Sequence, residues 1–378
     1  MAKIIHTADI HLDSPFSLFD VQKAHERKNE RREVFFSLIK YAENEKADMM
    51  LIAGDLFDSE FVTKNTVGLL CEKFASVPSC KFVIAPGNHD PASEKSPYLK
   101  SVFPDNVYIF DRPWIEKKEF PDINVDVYGF GCTGEIFEDN PVRDHIQTDP
   151  ERINIFIGHV DMLGTKPESC PTMTEDEIAR TGCDYAALGH IHKGTEVKKA
   201  GKTCYAYSGC LEGGSFDECG AKGAIVLNIT KSARSIAQTD FSYVRFSRRR
   251  YEKIEIDATG ANSCDDIKSR IRSAAAEKNF GRDVLLRVYL TGRVAPEVTL
   301  HPERVKSDDA GTYYLEIIDK TAPLLSYEEL KSDISIRGAL FRELLPKLES
   351  PDEKERALAE QALKYGLGAL AGEDIIDF

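Results

Sequence analysis

The chain of 378 residues lacks any apolar stretch long enough to span a bilayer, and its N-terminal residues lack the layout of a signal peptide. No two of its nine cysteines have the Cys-x-x-Cys spacing. These absences exclude a membrane-spanning class and argue against a disulfide framework or a thiolate metal site. We therefore expect a cytoplasmic protein whose thiols are reduced and mostly buried.

Positive charge is also scarce. The chain has 49 Lys and Arg against 63 Asp and Glu, a formal net charge of −14. Nucleic-acid binders usually carry a basic surface, so this balance is weak evidence against a partner held by attraction to phosphate. Bound metal ions would nevertheless dominate the field around a local site. The hydrophobic content of 42% is typical of a globular protein and excludes a mainly disordered chain.

The distribution of apolar residues predicts three regions. Strand-like runs alternate with helical patterns along the first two-thirds of the chain, which predicts a layered α/β domain at residues 1–247. Within it, Phe35, Leu38, Ile39 and Ala42 recur at helical spacing. A small α+β domain is predicted at 251–322 and a helical region at 323–378, which Pro346 and Pro351 divide into segments.

Residues able to bind metal follow five predicted strands at their carboxyl ends, the edge where open α/β sheets bind ligands. In chain order they are Asp9 and His11, then Asp55, then Asn88, then His159, then His190 and His192. A single Gly-Asp or Gly-His pair has little predictive value, and a lone histidine after a strand is more often an ordinary polar residue. The joint pattern is much harder to explain without a shared site.

The residue types indicate the chemistry of this site. Carboxylate, imidazole and amide groups without sulfur suit manganese, iron or zinc. Seven such groups are too many for one ion and fit two ions, with one carboxylate shared between them. A pair of metal ions about 3.5–4 Å apart is typical of enzymes that activate water to attack a phosphoryl group.

The strand-end motifs also form a recognisable series: Asp9-x-His11, Gly54-Asp55-x-x-Asp58, Gly87-Asn88-His89-Asp90, Gly158-His159 and Gly189-His190-x-His192. The series resembles the calcineurin-like metallophosphoesterase superfamily. The longer sequence segments that contain these motifs resemble the DNA-repair exonuclease branch of the superfamily, the SbcD/YhaO-type nuclease subunits. These segments are residues 6–15, 53–58, 86–90 and 208–223. This resemblance implies an α/β fold with a layered β-sheet sandwich flanked by helices, followed by a small α+β capping domain and C-terminal helices.

The resemblance implies a role for each residue of the series. Asp55 would bridge two metal ions through its two carboxylate oxygens. The other ligands would form two sets, Asp9, His11 and His192 for one ion and Asn88, His159 and His190 for the other.

The resemblance places His89 over the ions, where it would act as general acid or orient the scissile phosphate. Asp90 would orient His89, although stabilising its own turn is an equal alternative. Asp13 and Asp58 are expected to cap turns or to support the ligands. The remaining histidines receive ordinary interpretations: His6 is packed in a strand, and His25, His145 and His301 lie on the surface.

The resemblance further implies a DNA nuclease, with 3′-to-5′ exonuclease and single-strand endonuclease activity, that uses two divalent ions, Mn²⁺ ahead of Fe or Zn. It implies a coiled-coil, SMC-like ATPase partner, for which 323–378 is either a docking element or only a cap of the fold. Whether the protein forms a homodimer is left open by the sequence. Arg248, Arg249 and Arg250 are candidate contacts to DNA, with a solvated linker as the alternative.

Two other functions stay open from the sequence. One is a phosphodiesterase or phosphatase acting on a small molecule, which the net charge of −14 favours. The other is a metal-bearing scaffold or binding subunit without catalysis. His89 argues against the scaffold, because a purely structural metal site has no use for an acid–base group beside it.

Overall fold

The computed structural model describes residues 1–59, 62–134, 146–162, 164, 170–232, 235–294, 302–306, 310–324 and 327–370. The chain divides into two compact units, Met1–Arg250 and Tyr251–Phe378. Among the described helices, none is long and apolar enough to cross a membrane.

The first unit contains twelve strands and four α-helices in its described part. The strands are β1 (Ala2–Thr7), β2 (Met49–Ile52), β3 (Lys81–Ile84), β4 (Val107–Ile109), β5 (Glu116–Phe120), β6 (Val125–Gly129), β7 (Ile153–His159), β8 (Tyr185–Gly189), β9 (Lys198–Ala200), β10 (Thr203–Tyr207), β11 (Gly223–Thr230) and β12 (Gln238–Arg245). The helices are α1 (Val21–Asn44), α2 (Lys64–Ala75), α3 (Pro97–Lys100) and α4 (Glu175–Thr181).

These strands form two six-stranded sheets, ordered β12-β11-β1-β2-β3-β4 and β5-β6-β7-β8-β10-β9. Ile4 and Met49 lie in the apolar core between the sheets, whereas their neighbours Ile5 and Met50 pack on the other face with residues of α1 and α2. Because successive side chains point to opposite faces, strands covered on both sides read as continuous apolar runs. The layered α/β sandwich flanked by helices confirms the predicted fold class.

Helix α1 shows how the sequence specifies the outer layer. Asp20 caps its start by accepting a hydrogen bond from the backbone N–H of Lys23 at 2.9 Å. The predicted apolar face is buried, and it comprises Phe35, Leu38, Ile39 and Ala42. The helix therefore covers the first sheet with the residues that the spacing indicated.

Parallel pairing sets the position of the functional edge. Strands β1, β2 and β3 run parallel in the first sheet, and β6, β7, β8 and β10 run parallel in the second. Their carboxyl ends therefore lie at one edge of each sheet. The loops after β1, β2, β3, β7 and β8 carry the residues predicted to bind metal.

The second unit has strands β13 (Arg250–Asp257), β14 (Val284–Thr291), β15 (Arg293–Val294), β16 (Tyr314–Asp319) and β17 (Ala322–Pro323). Its helices are α5 (Cys264–Glu277), α6 (Pro302–Lys306), α7 (Tyr327–Ser332), α8 (Ile336–Leu348) and α9 (Glu353–Leu370). Sheet β13-β14-β16 shares an apolar core with α5, and a second small core joins α7, α8 and α9.

The predicted regions 251–322 and 323–378 fall within this one unit. Lys364 of α9 forms an ion pair with Asp319 of β16 at 2.7 Å, which ties the helical region to the α+β region. Pro346 does not divide helices as expected, because it lies inside α8. Proline has no N–H, so the helix continues past Pro346 with one i→i−4 backbone hydrogen bond missing.

Candidate metal centre

The loops after β1, β2 and β8 hold their functional residues in an uncommon backbone conformation. Asp9, His11, Asp55 and His190 have φ angles of 51°, 51°, 50° and 103°. Residues other than glycine seldom adopt positive φ, and such strain concentrates at functional sites. Backbone bonds stabilise the first two loops, since Asp9 N–H donates to Gly54 O at 3.1 Å and His11 N–H to Asp55 O at 2.9 Å.

One part of the centre, which we call the Asp9 half, consists of Asp9, His11 and His192. The Nε2 atoms of His11 and His192 lie 3.2 Å apart. His192 Nε2 lies 3.9 Å from Asp9 Oδ1, and the backbone N–H of His190 donates to the same oxygen at 3.1 Å. Ligand atoms of these three residues and Asp55 all lie within 4.8 Å of one another, which makes a compact ligand set for one cation.

The other part, the Asn88 half, consists of Asn88, His159 and His190. Asn88 Oδ1 lies 3.0 Å from His159 Nε2. The rings of His159 and His190 meet edge to face with their centroids 5.2 Å apart. This half supplies two imidazoles and one amide oxygen without a carboxylate of its own.

Asp55 lies between the two halves. Its Oδ2 is 3.7 Å from His11 Nε2 and 3.3 Å from His159 Nε2. Its Oδ1 instead accepts a hydrogen bond from the backbone N–H of His89 at 3.0 Å. One oxygen of Asp55 therefore faces both halves, and the other accepts a hydrogen bond from the main chain.

Hydrogen bonds on the far side of the rings direct the histidines inward. His159 Nδ1 lies 3.0 Å from Ala53 O, and His192 Nδ1 lies 2.6 Å from Glu218 Oε1. His11 Nδ1 lies 3.2 Å from Asp58 Oδ1. An Nδ1–H directed at these oxygens leaves the Nε2 of each ring facing the centre, and a cation bound there would be contacted by the Nε2 atoms of both His11 and His192, which lie 3.2 Å apart. The residues therefore fit a metal centre.

The electrostatics of the cluster differ between its two inner histidines, His159 and His190. Burial lowers the pKa of His159, but the neighbouring Asp55 carboxylate outweighs this and raises it to about 9. Burial lowers the pKa of His190 to about 4, with a further contribution from His159, so His190 stays neutral and able to bind a metal. Burial raises the pKa of Asp9 despite the adjacent histidines.

Two glycines make room for these side chains. A Cβ on Gly87 would lie 2.1 Å from Asp55 Oδ1, and a Cβ on Gly54 would lie 2.1 Å from His159 Nδ1. Gly54 also has a φ of 90°. Any other residue at these positions would displace a ligand.

His89 borders the centre from the solvent side. Its side chain is exposed, and its ring centroid lies 4.9 Å from that of His11. Its Nδ1 lies 3.3 Å from the carbonyl oxygen of Asp58, which leaves Nε2 as the nitrogen able to exchange a proton. This position, beside the Asp9 half and open to an approaching molecule, is the one expected of a general acid.

Asp90 does not orient His89. Its side chain is fully buried and accepts hydrogen bonds from the backbone N–H groups of Gly87 at 2.8 Å and Phe57 at 3.0 Å, and from the hydroxyl of Tyr98. Burial raises its pKa to about 6, with a contribution from Asp55. The structure thus corrects the catalytic prediction and favours the turn-stabilising alternative.

The arginine run is engaged with acidic residues of α1. Arg248 Nη1 lies 2.7 Å from Glu33 Oε2, and Arg249, 9% exposed, forms ion pairs with Glu26 and Glu30. The predicted DNA contact is therefore contradicted for Arg249, whose guanidinium is held inside the unit. Arg250 is half-buried at the start of β13.

Sequence reasoning missed two supporting residues. Glu218 contacts His192 from a Gly-rich segment, and Gly214 N–H donates to its other oxygen at 2.7 Å. Arg31 is buried and donates from Nη1 to the carbonyl oxygen of His11 at 3.0 Å. The resemblance of residues 208–223 pointed at Glu218 without giving it a role, and no signal marked Arg31 apart from its place on α1.

The remaining predicted residues lie away from the ligands or outside the described part. Asp13 accepts a hydrogen bond from Thr66 Oγ1 at 2.7 Å and pairs with Arg32. His6 is buried in β1, 2.9 Å from the Tyr185 hydroxyl, and His25 is exposed. His145 and His301 lie outside the described residues.

Comparison with known proteins places this geometry in a family. Residues 2–194 match the family of calcineurin-like phosphoesterases. The chain is 28% identical over 321 residues to the uncharacterized metallophosphoesterase YhaO of Bacillus subtilis, covering 81% of this chain and 75% of YhaO. It is 25% identical over 257 residues to the SbcD subunit of the nuclease SbcCD of Staphylococcus epidermidis, covering 60% of this chain and 66% of that protein.

Solved structures with a similar fold are more distant. A dimetal phosphatase from Danio rerio has a TM-score of 0.40 at 10% identity, covering 63% of this chain and 98% of that one. TT1561 of Thermus thermophilus has a TM-score of 0.36 at 11% identity, covering 64% of this chain and 98% of that one.

Proposed function

The chain belongs to the calcineurin-like phosphoesterase family, and from that premise we propose that it is a two-metal phosphodiesterase that cleaves DNA. The family supports a phosphoesterase activity and the residues of the site fit a metal centre, and the proposal concerns the ligands, the ions, the substrate and the partner. One observation carries it: Asp55 Oδ2 lies 3.7 Å from His11 Nε2 and 3.3 Å from His159 Nε2, and exposed His89 borders the centre with its ring 4.9 Å from that of His11.

The proposed ligands follow the geometry of the two halves. The Asp9 half and the Asn88 half each hold one divalent ion, and Asp55 Oδ2 faces both. When bound, two such ions neutralise a phosphoryl group and make water a nucleophile near neutral pH. Mn²⁺ is the proposed ion, because the imidazole-rich set suits it better than Mg²⁺, which prefers oxygen ligands and keeps its waters.

His89 supplies the proton transfer. A protonated His89 donates from Nε2 to the oxygen that leaves when the phosphodiester bond breaks. The carbonyl oxygen of Asp58 holds the ring through Nδ1 at 3.3 Å. The backbone N–H of His89 also donates a hydrogen bond to Asp55, so His89 and Asp55 keep one relative position. Such a group typically contributes about 10²–10⁴-fold to the rate.

The choice of DNA is supported by the relative of S. epidermidis, whose name describes part of a nuclease. The proposed reaction is 3′-to-5′ exonuclease cleavage with single-strand endonuclease activity, in DNA repair. The decisive experiment incubates the purified, Mn²⁺-loaded protein with end-labelled DNA and, separately, with bis(4-nitrophenyl) phosphate. We expect cleavage of both and loss of both in EDTA. Full activity in metal-free protein would contradict the proposal.

A second candidate is a phosphoesterase that acts on small molecules. It is favoured by the net charge of −14 and by the ion pairs that engage Arg248 and Arg249. Cleavage of the small diester without measurable cleavage of any DNA would establish it over the nuclease. Bound metal without turnover of either substrate would support the non-catalytic scaffold instead.

We also propose that residues 323–378 dock an SMC-like coiled-coil ATPase. Several apolar side chains there are exposed, among them Ile334 at 100%, Ile336 at 71% and Leu358 at 68%. These side chains are the apolar groups that the proposed interface would cover. Ile334→Asp is expected to weaken co-elution with the ATPase, whereas Glu360→Gln in α9 leaves co-elution unchanged. Unaltered co-elution of Ile334→Asp would place the ATPase elsewhere.

A further inference from the structure

Strand β12 forms an edge of the first sheet and carries two exposed aromatic rings. Phe241 is 53% exposed and Tyr243 is 48% exposed. In the ladder they lie opposite Leu227 and Ile225, whose side chains belong to the core between the two sheets. Both rings therefore lie on the inner face of the first sheet, at its open side. Residues two apart on a strand are separated by about 7 Å.

Of the two rings, that of Tyr243 lies next to the loop that carries the proposed ligand His192. A Cβ on Gly194 would lie 3.7 Å from Tyr243 Cε2, so the tyrosine ring packs beside the main chain at that residue. Gly194 follows the ligand His192 by two residues, at most about 7 Å of chain. Phe241 continues the row away from the centre. A strand bound at the metal centre and running along β12 would meet the tyrosine ring before the phenylalanine ring.

Exposed lysines follow the ligand His192 in the chain, although the protein as a whole is acidic. Lys193, Lys198 and Lys199 are exposed in a segment whose one acidic residue is Glu196. Lys199 lies opposite Cys204 in the β9–β10 ladder, and Cys204 packs against the core between the sheets. Lys199 is therefore on the inner face of the second sheet, at its edge. This local charge complements a phosphate backbone.

We propose that Tyr243 and Phe241 form a stacking platform for unpaired bases of single-stranded DNA whose scissile phosphate lies at the metal centre. The inference rests on the proposed nuclease function and specifies the form of its substrate. Aromatic faces stack on any base, and adjacent lysines neutralise the backbone, which is how proteins hold single strands without sequence preference. Duplex DNA keeps its base faces stacked inside and does not offer them to the rings.

The arginine run does not provide this contact, since Arg248 and Arg249 are paired with acidic residues of α1. Stacking instead gives the protein a way to hold a polyanion with few cations. Affinity that depends on stacking has a shallow salt dependence, because each neutralised phosphate contributes about 0.9 to the slope of log affinity against log salt.

The test compares the Mn²⁺-loaded full chain with Phe241→Ala, Tyr243→Ala and Tyr243→Phe. Ser242→Ala is the matched control, because Ser242 lies on the same strand opposite Val226 of the outer core and faces away from the rings. The substrates are a labelled single-stranded oligodeoxynucleotide, the same oligonucleotide with abasic sites, and bis(4-nitrophenyl) phosphate. The readout is kcat/KM for each oligonucleotide divided by kcat/KM for the small diester.

We expect each alanine variant to lower this ratio by roughly 5- to 150-fold for the base-bearing strand, the range of one lost stack. Tyr243→Phe and Ser242→Ala should keep it, and the abasic strand should show a low ratio with the wild-type protein.

If wild-type protein cleaves both strands equally, or if Phe241→Ala matches Ser242→Ala, the stacking platform is overturned while the proposed nuclease function stands. Absence of DNA cleavage by wild-type protein overturns the nuclease itself. A change in sedimentation on Phe241→Ala, without a change in the ratio, would assign the face to self-association and overturn the platform.

Discussion

The two halves of the metal centre differ in what supports their histidines. In the Asp9 half, carboxylates of Asp58 and Glu218 lie behind His11 and His192. In the Asn88 half, a main-chain carbonyl lies behind His159. A carboxylate behind a ring carries a full negative charge and raises its basicity as a ligand more than a neutral carbonyl does. The comparison teaches that acidic side chains support both histidines of one half, whereas the main chain supports His159 in the other.

The largest expected effect comes from removing the ligand that the two halves are proposed to share. Asp55→Ala deletes the carboxylate whose Oδ2 faces both halves. We expect loss of both ions and activity no higher than that of metal-free protein, measured as metal content by mass spectrometry together with turnover. Asp240→Asn, an exposed change on β12, is the matched control. Wild-type metal content in Asp55→Ala would show that the halves do not share this ligand.

The next effect is catalytic and should leave both halves intact. His89→Ala removes the exposed ring beside the Asp9 half and should lower turnover by about 10²–10⁴-fold, because the leaving oxygen loses its proton donor. Metal content should stay at the wild-type value. His25→Ala, which changes another exposed histidine, should affect neither quantity. If His89→Ala lost an ion, His89 would be a ligand rather than an acid.

Gly54→Ala acts most directly on the Asn88 half. The new Cβ would lie 2.1 Å from His159 Nδ1, and the φ of 90° adds strain of about 1–3 kcal/mol. We expect Mn²⁺ titration of metal-free protein to show one weakened site and one retained site. Gly68→Ala is the control, because its Cβ would meet nothing within 4 Å and α2 should be stabilised by roughly 0.5–1 kcal/mol. Two retained sites in Gly54→Ala would contradict the backbone support assigned to His159.

The smallest effect should fall on the Asp9 half. Glu218→Gln keeps the shape of the side chain behind His192 but removes its charge, and we expect metal affinity to fall by about 10- to 100-fold at one site. Calorimetric titration with Mn²⁺ measures this without reference to turnover. Glu196→Gln, an exposed change four residues after His192, should bind as the wild type does. Identical titrations of the two variants would remove Glu218 from the metal centre.

The convergence of the proposed ligands was predictable from the sequence because each lies at the end of a strand or within a few residues of it. Parallel strands place their carboxyl ends at one edge of a sheet. The local sequence pattern alone therefore predicts that Asp9, Asn88 and His159 lie close together. Which oxygen of Asp55 faces the two halves was not predictable, because it depends on the backbone N–H of His89.

Contacts between distant segments could not be read from the pattern. Asp90 turns away from His89 because Tyr98 and the backbone of Phe57 offer it donors. The arginine run looked like a nucleic-acid contact, but acidic residues of α1, more than 200 positions earlier, engage Arg248 and Arg249. Charge along the sequence says little about the charge that remains accessible once the chain is folded.

The spread of the ligands along the chain has a thermodynamic consequence. Asp9 and His192 meet only when both sheets of the first unit are formed, so an unfolded chain offers no comparable site. Metal binding is therefore linked to folding, and ion at 100 times its dissociation constant stabilises that unit by about 2.7 kcal/mol. The second unit contributes none of the proposed ligands. Metal supply should accordingly raise the melting temperature of Met1–Arg250 and leave that of Tyr251–Phe378 unchanged, which makes the stability of the first unit a gauge of the free ion concentration.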